Sequence, residues 1–184
     1  MPLFRTAKVS PTMNHILESE RLRLRELHPG DAGWFYELNN DPLVMQYTGD
    51  PPFADLAEAR IFLENYKPYS EYGYGRWAVE LAGTGNCIGW CGLKYSPERD
   101  ETDLGFRLFR NQWGRGYATE AARACVRHGF GPLGLAAIVG RAMAPNLASV
   151  RVLEKTGFRF VKEEKGEPFP WLLFRLDASE GVCR

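Results

Sequence analysis

Residues 111–121 read NQWGRGYATEA, in which Gly114, Gly116 and Ala118 alternate at two-residue spacing around Arg115, after an apolar-alternating segment and before a helix-like run. A strand that ends in close-set small residues and turns straight into a helix presents backbone N–H groups without acceptors, at the positive end of the helix dipole. Such a bend suits a phosphate, because small residues let the backbone approach the anion. Arg107 and Arg110 lie just before it and Arg115 within it. A plain tight connection carrying surface arginines would show the same spacing. The chain has no Gly-Lys-Ser/Thr, and the bend does not open a dinucleotide-binding unit with an acidic ribose binder, so the anion expected is not a nucleoside triphosphate.

The elements that must position this bend can be read from periodicity. Residues 21–27 alternate arginine and leucine as a half-buried strand. Asp31 offers an N-cap for a short helix carrying Trp34, Phe35 and Leu38. Asp55 with Glu58 forms a capping-box-like start for a second helix, whose apolar face would be Leu56, Ala59, Leu63 and Tyr66. From Gly75 the period changes to two: Trp77, Val79 and Leu81, a Gly-rich turn, a partner over residues 88–95, and a third strand over residues 102–108. Residues 117–130 form an alanine-rich helix with a flat stripe of Ala118, Ala121, Ala122, Cys125 and Gly129. A strand, a short helix ended by Gly157 and two closing strands follow. The order predicts an α+β fold: a mixed, mostly antiparallel sheet of about seven strands flanked by about four helices, with one β-α-β crossover.

Composition narrows the function classes. A length of 184 residues fits one domain, expected at residues 15–178 between a flexible lead-in (1–14) and a tail (179–184). The 23 basic residues cancel the 23 acidic ones, so no global field draws nucleic acid or an anionic membrane. No apolar run approaches the ~20 residues of a membrane span, and no signal-peptide core is present, which predicts a cytoplasmic protein. The four cysteines include no CxxC pair and the three histidines lack ligand spacing, so neither a metal site nor a disulfide framework is expected. Cys87 and Cys91, an even number apart, read as small core fillers on one strand face.

Four segments taken in order, IGWCGL (88–93), DLGFRL (103–108), WGRGYATEA (113–121) and NLASVRVLEKTGF (146–158), resemble the GNAT superfamily of N-acetyltransferases, in its ribosomal-protein acetyltransferase-like (RimJ/RimL-like) branch. The similarity runs over residues 17–176. It implies an acetyl-CoA site: a pyrophosphate loop at Trp113, Gly114, Arg115, Gly116, Tyr117, Ala118 and Thr119, with Trp113 where the superfamily has Gln or Arg. Phe106, Arg107 and Leu108 would line the pantetheine arm and offer a backbone N–H to the thioester oxygen. Asn146 would contact pantetheine and Ser149 would approach the sulfur. Asn146 is also a good N-cap, and Ser149 suits a packed helix start.

The chemistry implied is direct attack of an amine on the thioester without an acyl-enzyme. Asp103, where the branch usually has Glu, is the expected base, working through water, with Ser149 as acid toward the leaving thiolate. The same Asp103 could be a strand carboxylate paired with an arginine. The resemblance places Tyr47 with its loop, and the aromatic cluster ending at Trp77, on the acceptor side, where the aromatics could equally be core; Glu80 is expected there too, also as a rival base. The partners expected are acetyl-CoA and an amine, either a protein N-terminus or a small molecule, with the chain a monomer or homodimer. A catalytically inactive CoA-binding regulatory module is the alternative, supported by the Asp at 103.

Overall fold

A computed structural model describes residues 15–181; the lead-in at 1–14 and the end of the tail at 182–184 lie outside the described residues. Strand β1 (His15–Glu18) and strand β2 (Leu22–Glu26) open the chain, followed by helix α1 (Ala32–Asn40), α2 (Pro42–Met45), α3 (Leu56–Glu64) and α4 (Pro68–Tyr72). Then come β3 (Arg76–Leu81), β4 (Cys87–Ser96), β5 (Glu101–Leu108), α5 (Tyr117–Phe130), β6 (Ala137–Met143), α6 (Leu147–Lys155), β7 (Arg159–Glu164), β8 (Trp171–Asp177) and the short α7 (Ala178–Gly181). All strands join one sheet in the order β1-β2-β3-β4-β5-β6-β8-β7. Every neighbour is antiparallel except β5 and β6, which the α5 crossover makes parallel. The sheet thus has eight strands rather than about seven, because β1 is too short to show a period.

Two apolar layers cover the sheet. On one face, α5 lays Ala121, Ala122 and Cys125, all fully buried, against Leu22, Leu24, Leu93 and Leu104. Each buried leucine contributes about 1.5–3 kcal/mol. The stripe must be flat, since a Cβ on Gly129 would meet Ile138 Cδ1 at 2.8 Å. On the other face α1 and α3 pack Phe35 and Leu63 over Leu27 and Ala78. The Asp55 carboxylate accepts from the Glu58 N–H at 2.8 Å, as the capping pattern predicts, and the Glu58 carboxylate accepts from the Ala54 N–H. Of the expected apolar face, Ala59 and Leu63 are buried while Leu56 is exposed.

Two local expectations are corrected. Asp31 makes no cap bond to α1. A 3₁₀ turn capped by His28 precedes that helix, and the buried Asp31 carboxylate instead holds Arg25 through two bonds of 2.8 and 2.9 Å and the Trp34 indole at 2.9 Å. Burial alone would raise the Asp31 carboxyl; these bonds more than offset it and hold it below the ordinary value. Cys87 and Cys91 do not share a face. The β3–β4 register skips a residue between Val79↔Gly89 and Glu80↔Cys87, and this bulge sends Cys87 toward the α1 layer and Cys91 into the α5 layer.

Candidate active site

β5 is paired along its whole length with β4, from Gly89↔Leu108 to Ser96↔Glu101. On its other side it meets β6 only at Asp103↔Val139 and Leu104↔Gly140. Beyond Leu104 the parallel strands part, so main-chain groups of the last turnward residues of β5 and of β6 beyond Gly140 have no ladder partner across the gap. A cleft of about 1810 Å³ opens there, lined by Asp103, Phe106, Arg107, Leu108, Asn146 and Ser149 among others. That volume exceeds the ~300–1,000 Å³ of ordinary small-molecule pockets and suits a long, flexible ligand with a second molecule beside it.

At one mouth of the cleft sits the glycine bend. Gly114 and Gly116 adopt φ values of +74° and +81°, a left-handed conformation that only glycine takes without strain. Gly116 is the N-cap of α5 and makes no side-chain cap bond; the first helical bond runs from the Glu120 N–H to the Gly116 carbonyl at 3.0 Å. The N–H groups of Tyr117, Ala118 and Thr119 therefore precede the helical ladder, beside Gly114 and Gly116 on the cleft wall. A Cβ on Gly114 would meet nothing within 4 Å, so the bend faces open space. These features fit a phosphate-bearing ligand.

The bend is braced from two sides. Trp113 donates its indole N–H to the Leu108 carbonyl at 2.8 Å, latching the loop to the end of β5, which accounts for the tryptophan at this position. From the β1–β2 corner, Arg21 donates to the Arg115 carbonyl at 3.1 Å and lies 4.6 Å from the Tyr117 ring centre. Glu120 in the first turn would repel an anion if unpaired. It accepts from the Ser19 hydroxyl and the Arg21 N–H, both at 2.8 Å, and from the Arg21 guanidinium at 2.7 Å. Burial would raise the Glu120 carboxyl, and these bonds outweigh it and lower it below its ordinary value. Arg21 was not foreseen; its alternating strand pattern carries no sign of this contact.

Across the cleft, Asn146 caps α6, its Oδ1 accepting from the Ser149 N–H at 3.1 Å. Asn146 and Ser149 lie on one turn of the cleft wall, as their spacing predicts. On the α1–α3 side of the sheet, Asp103 lines the cleft with its carboxylate 2.5 Å from Arg76 Nη2. Tyr47 also lines it, 6.3 Å from Phe169 between ring centres. Arg115 is exposed beside the bend and is not on the cleft wall.

Two expected acceptor residues are not in the cleft. Trp77 is 1% exposed, inside the α5-side core with its ring edge against His128, so it cannot touch an acceptor. Glu80 is held by Arg25 at 2.7 Å and His15 at 3.4 Å, at the β2–β3 side of the sheet. The structure instead brings Arg76, Trp90, Asn39 and Asp50 to the wall.

A mostly antiparallel sheet whose single parallel pair, β5 and β6, parts at one end, with a helix N-terminus that no side chain caps facing the gap, is the architecture of an acyl-CoA-dependent transferase. The chain belongs to the acetyltransferase (GNAT) domain family, whose pattern matches residues 21–159. It is therefore an acetyl-CoA-dependent N-acetyltransferase. It is 36% identical over 153 residues to the uncharacterized protein YkkB of Bacillus subtilis, covering 79% of this chain and 86% of that one. It is 35% identical over 168 residues to FsC-acetyl coenzyme A-N(2)-transacetylase of Aspergillus fumigatus, covering 85% and 68% respectively. The structure of spermidine N-acetyltransferase from Vibrio cholerae in complex with CoA and spermine superposes with a TM-score of 0.77 over 89% of this chain and 99% of that one. At 22% identity that likeness speaks for the fold alone.

Proposed function

We propose that the chain transfers the acetyl group of acetyl-CoA directly to a primary amine, either a protein N-terminal α-amine or a small-molecule amine. The observation that carries this reading is the parting of β5 from β6 beside the braced glycine bend. In this reading the N–H groups at the start of α5 hold the pyrophosphate, and the Phe106–Leu108 backbone and Asn146 orient the pantetheine arm. Acetyl-CoA supplies an activated acyl group. The chain's own residues supply alignment, an N–H donor for the developing oxyanion, and proton transfer.

Asp103 is the proposed proton acceptor. Its Oδ1 is bonded to Arg76, which leaves Oδ2 to hold a water on the cleft side. The demand on it is modest for an α-amine, about one-tenth neutral near pH 7, and severe for a lysine, neutral about once in a few thousand. Ser149 is the proposed acid toward the leaving thiolate, an easy task for a thiol of pKa about 8.5. None of the described cysteines lines the cleft, and burial pushes the Cys87 thiol up to about 12, in keeping with direct transfer.

The reading extends to a place in the RimJ/RimL-like branch, supported by the Trp113 loop, and to a cytoplasmic monomer or homodimer. Thiol release from acetyl-CoA with a panel of amines, followed by mass spectrometry of the products, tests it. Acetyl-CoA binding with no thiol release for any amine would favour a regulatory CoA-binding module instead.

A further inference from the structure

The acceptor side of the cleft holds two arginines in different states. Arg76 is fully committed: it donates to the Gly92 carbonyl, to the Asp103 carbonyl at 3.0 Å and to the Asp103 carboxylate at 2.5 Å. It lies across Gly105, where a Cβ would come within 2.6 Å of Nη2. Arg107, one same-face step or about 7 Å further along β5, is half-buried, with its side chain 11% exposed. It donates to the Asn39 side-chain oxygen and lies near the Met45 sulfur, while the Trp90 ring centre is 5.1 Å away. Among the described residues its one charged partner is Asp50, at 2.7 Å, whose side chain is 64% exposed on the loop after α2.

A half-buried guanidinium is thus balanced by a carboxylate that stands mostly in water. Burial pulls Arg107 below the ordinary guanidinium value, with Asp50 offsetting this only in part and Arg76 adding to it. Trp90 and Asn39 also contact the planar group, and Asp50 meets it through Nη2 alone, a nitrogen that a carboxylate of another molecule could take over. The other acidic groups of the wall each have a partner on the protein. Asp103 is taken by Arg76, Glu101 and Glu164 by Arg141 at 2.7 and 2.9 Å, and Glu98 by the Ser96 hydroxyl at 3.0 Å.

We infer that Arg107 receives a carboxylate of the acceptor, which displaces Asp50, so that the enzyme acts on small amines that carry a carboxylate rather than on polyamines. This rests on the acetyl-transfer reading of the same cleft. Bound in this way, the acceptor lies along the β5 face that carries Gly105 and Arg107, with its amine directed toward the gap between β5 and β6.

The test compares matched pairs differing by one carboxylate, ornithine against putrescine and phenylalanine against phenethylamine, with spermidine alongside. Thiol release gives kcat/KM, and thermal shift in the presence of CoA gives binding. The carboxylate-bearing member should be favoured by about tenfold or more, the usual worth of a charged hydrogen bond. R107Q should shrink that preference by about tenfold, R107K should keep part of it, and D50A should lower KM for the carboxylate-bearing acceptors. A preference that is unchanged in R107Q, even with both rates reduced, overturns the inference, as does selective turnover of spermidine or putrescine. If no amine is acetylated, the transfer reading fails, and the thermal shift still decides the Arg107 assignment: stabilisation by the amino acids alone, lost in R107Q, supports it, and equal shifts refute it.

Discussion

The Asp103 carboxylate and the Arg76 guanidinium meet at 2.5 Å across 27 residues of sequence, and Arg76 also grips the Asp103 main-chain carbonyl. The proposed base is therefore fixed in direction by an arginine reaching over β4 from β3. D103N should keep the Arg76 contact through its amide oxygen yet lose the proton acceptor. We expect kcat to fall by about a hundredfold near neutral pH. The deficit should narrow toward pH 9.5, where more of the amine is already neutral. A pH profile of kcat/KM checks this, and a loss under about threefold at every pH would remove Asp103 from the reaction.

Gly116 separates strain from ligand contact. A valine there would meet only Arg21 Nη2, at 3.5 Å, but at φ +81° it would also cost about 1–2 kcal/mol of backbone strain. Asparagine tolerates this conformation better. G116N should leave the melting temperature within a few degrees of the parent while raising the acetyl-CoA KM by about tenfold or more, read by calorimetry and initial rates side by side.

Asn146 and Ser149 should part company on mutation. N146A removes the cap on α6 and should lower stability by about 1 kcal/mol, with a raised acetyl-CoA KM. S149A keeps the cap, since the bond uses its main-chain N–H, and should reduce kcat by less than about tenfold with stability unchanged. Urea unfolding and steady-state kinetics on both variants distinguish the two roles.

The Arg25–Asp31 pair is 6% and 4% exposed at its side chains. Because the folded Asp31 carboxyl lies below its ordinary value near 3.8, its contribution is complete above that value and is lost as pH falls through the folded one. D31N should cost about 3 kcal/mol at pH 7 by leaving Arg25 with Glu80 as its remaining charged partner. Its stability curve should be flatter than the parent's below pH 4. Denaturant titrations from pH 7 to 2 on both proteins give the comparison.

Legibility in the sequence followed the length scale of each feature. Helix α5 begins and ends at the residues its alanine stripe marks, because fourteen residues give several turns of period. Strand β1 and helices α2, α4 and α7, each of four or five residues, give none. The glycine bend and the Asn146–Ser149 turn are local, and their backbone geometry is the one the spacing predicts. Trp77 alternates with Arg76 and Ala78 and lies with Val79 in the α5-side core, the position its period of two allowed; only the resemblance put it on the acceptor side. Arg76, Arg107 and Asp50 are brought together by strand register and a returning loop, and a run of alternating residues holds no record of which strand lies next to it.

Two residue pairs are all that stitch the five N-terminal strands to the three C-terminal ones along the sheet. A molecule lying lengthwise in the wedge takes up the main-chain valences that a continued ladder would have used, and so serves as mortar between two slabs. On the proposed reading the cofactor should do more than deliver an acyl group: amides on both lips of the wedge are expected to exchange more slowly when it is filled, giving the acceptor a stiffer wall than the free protein offers.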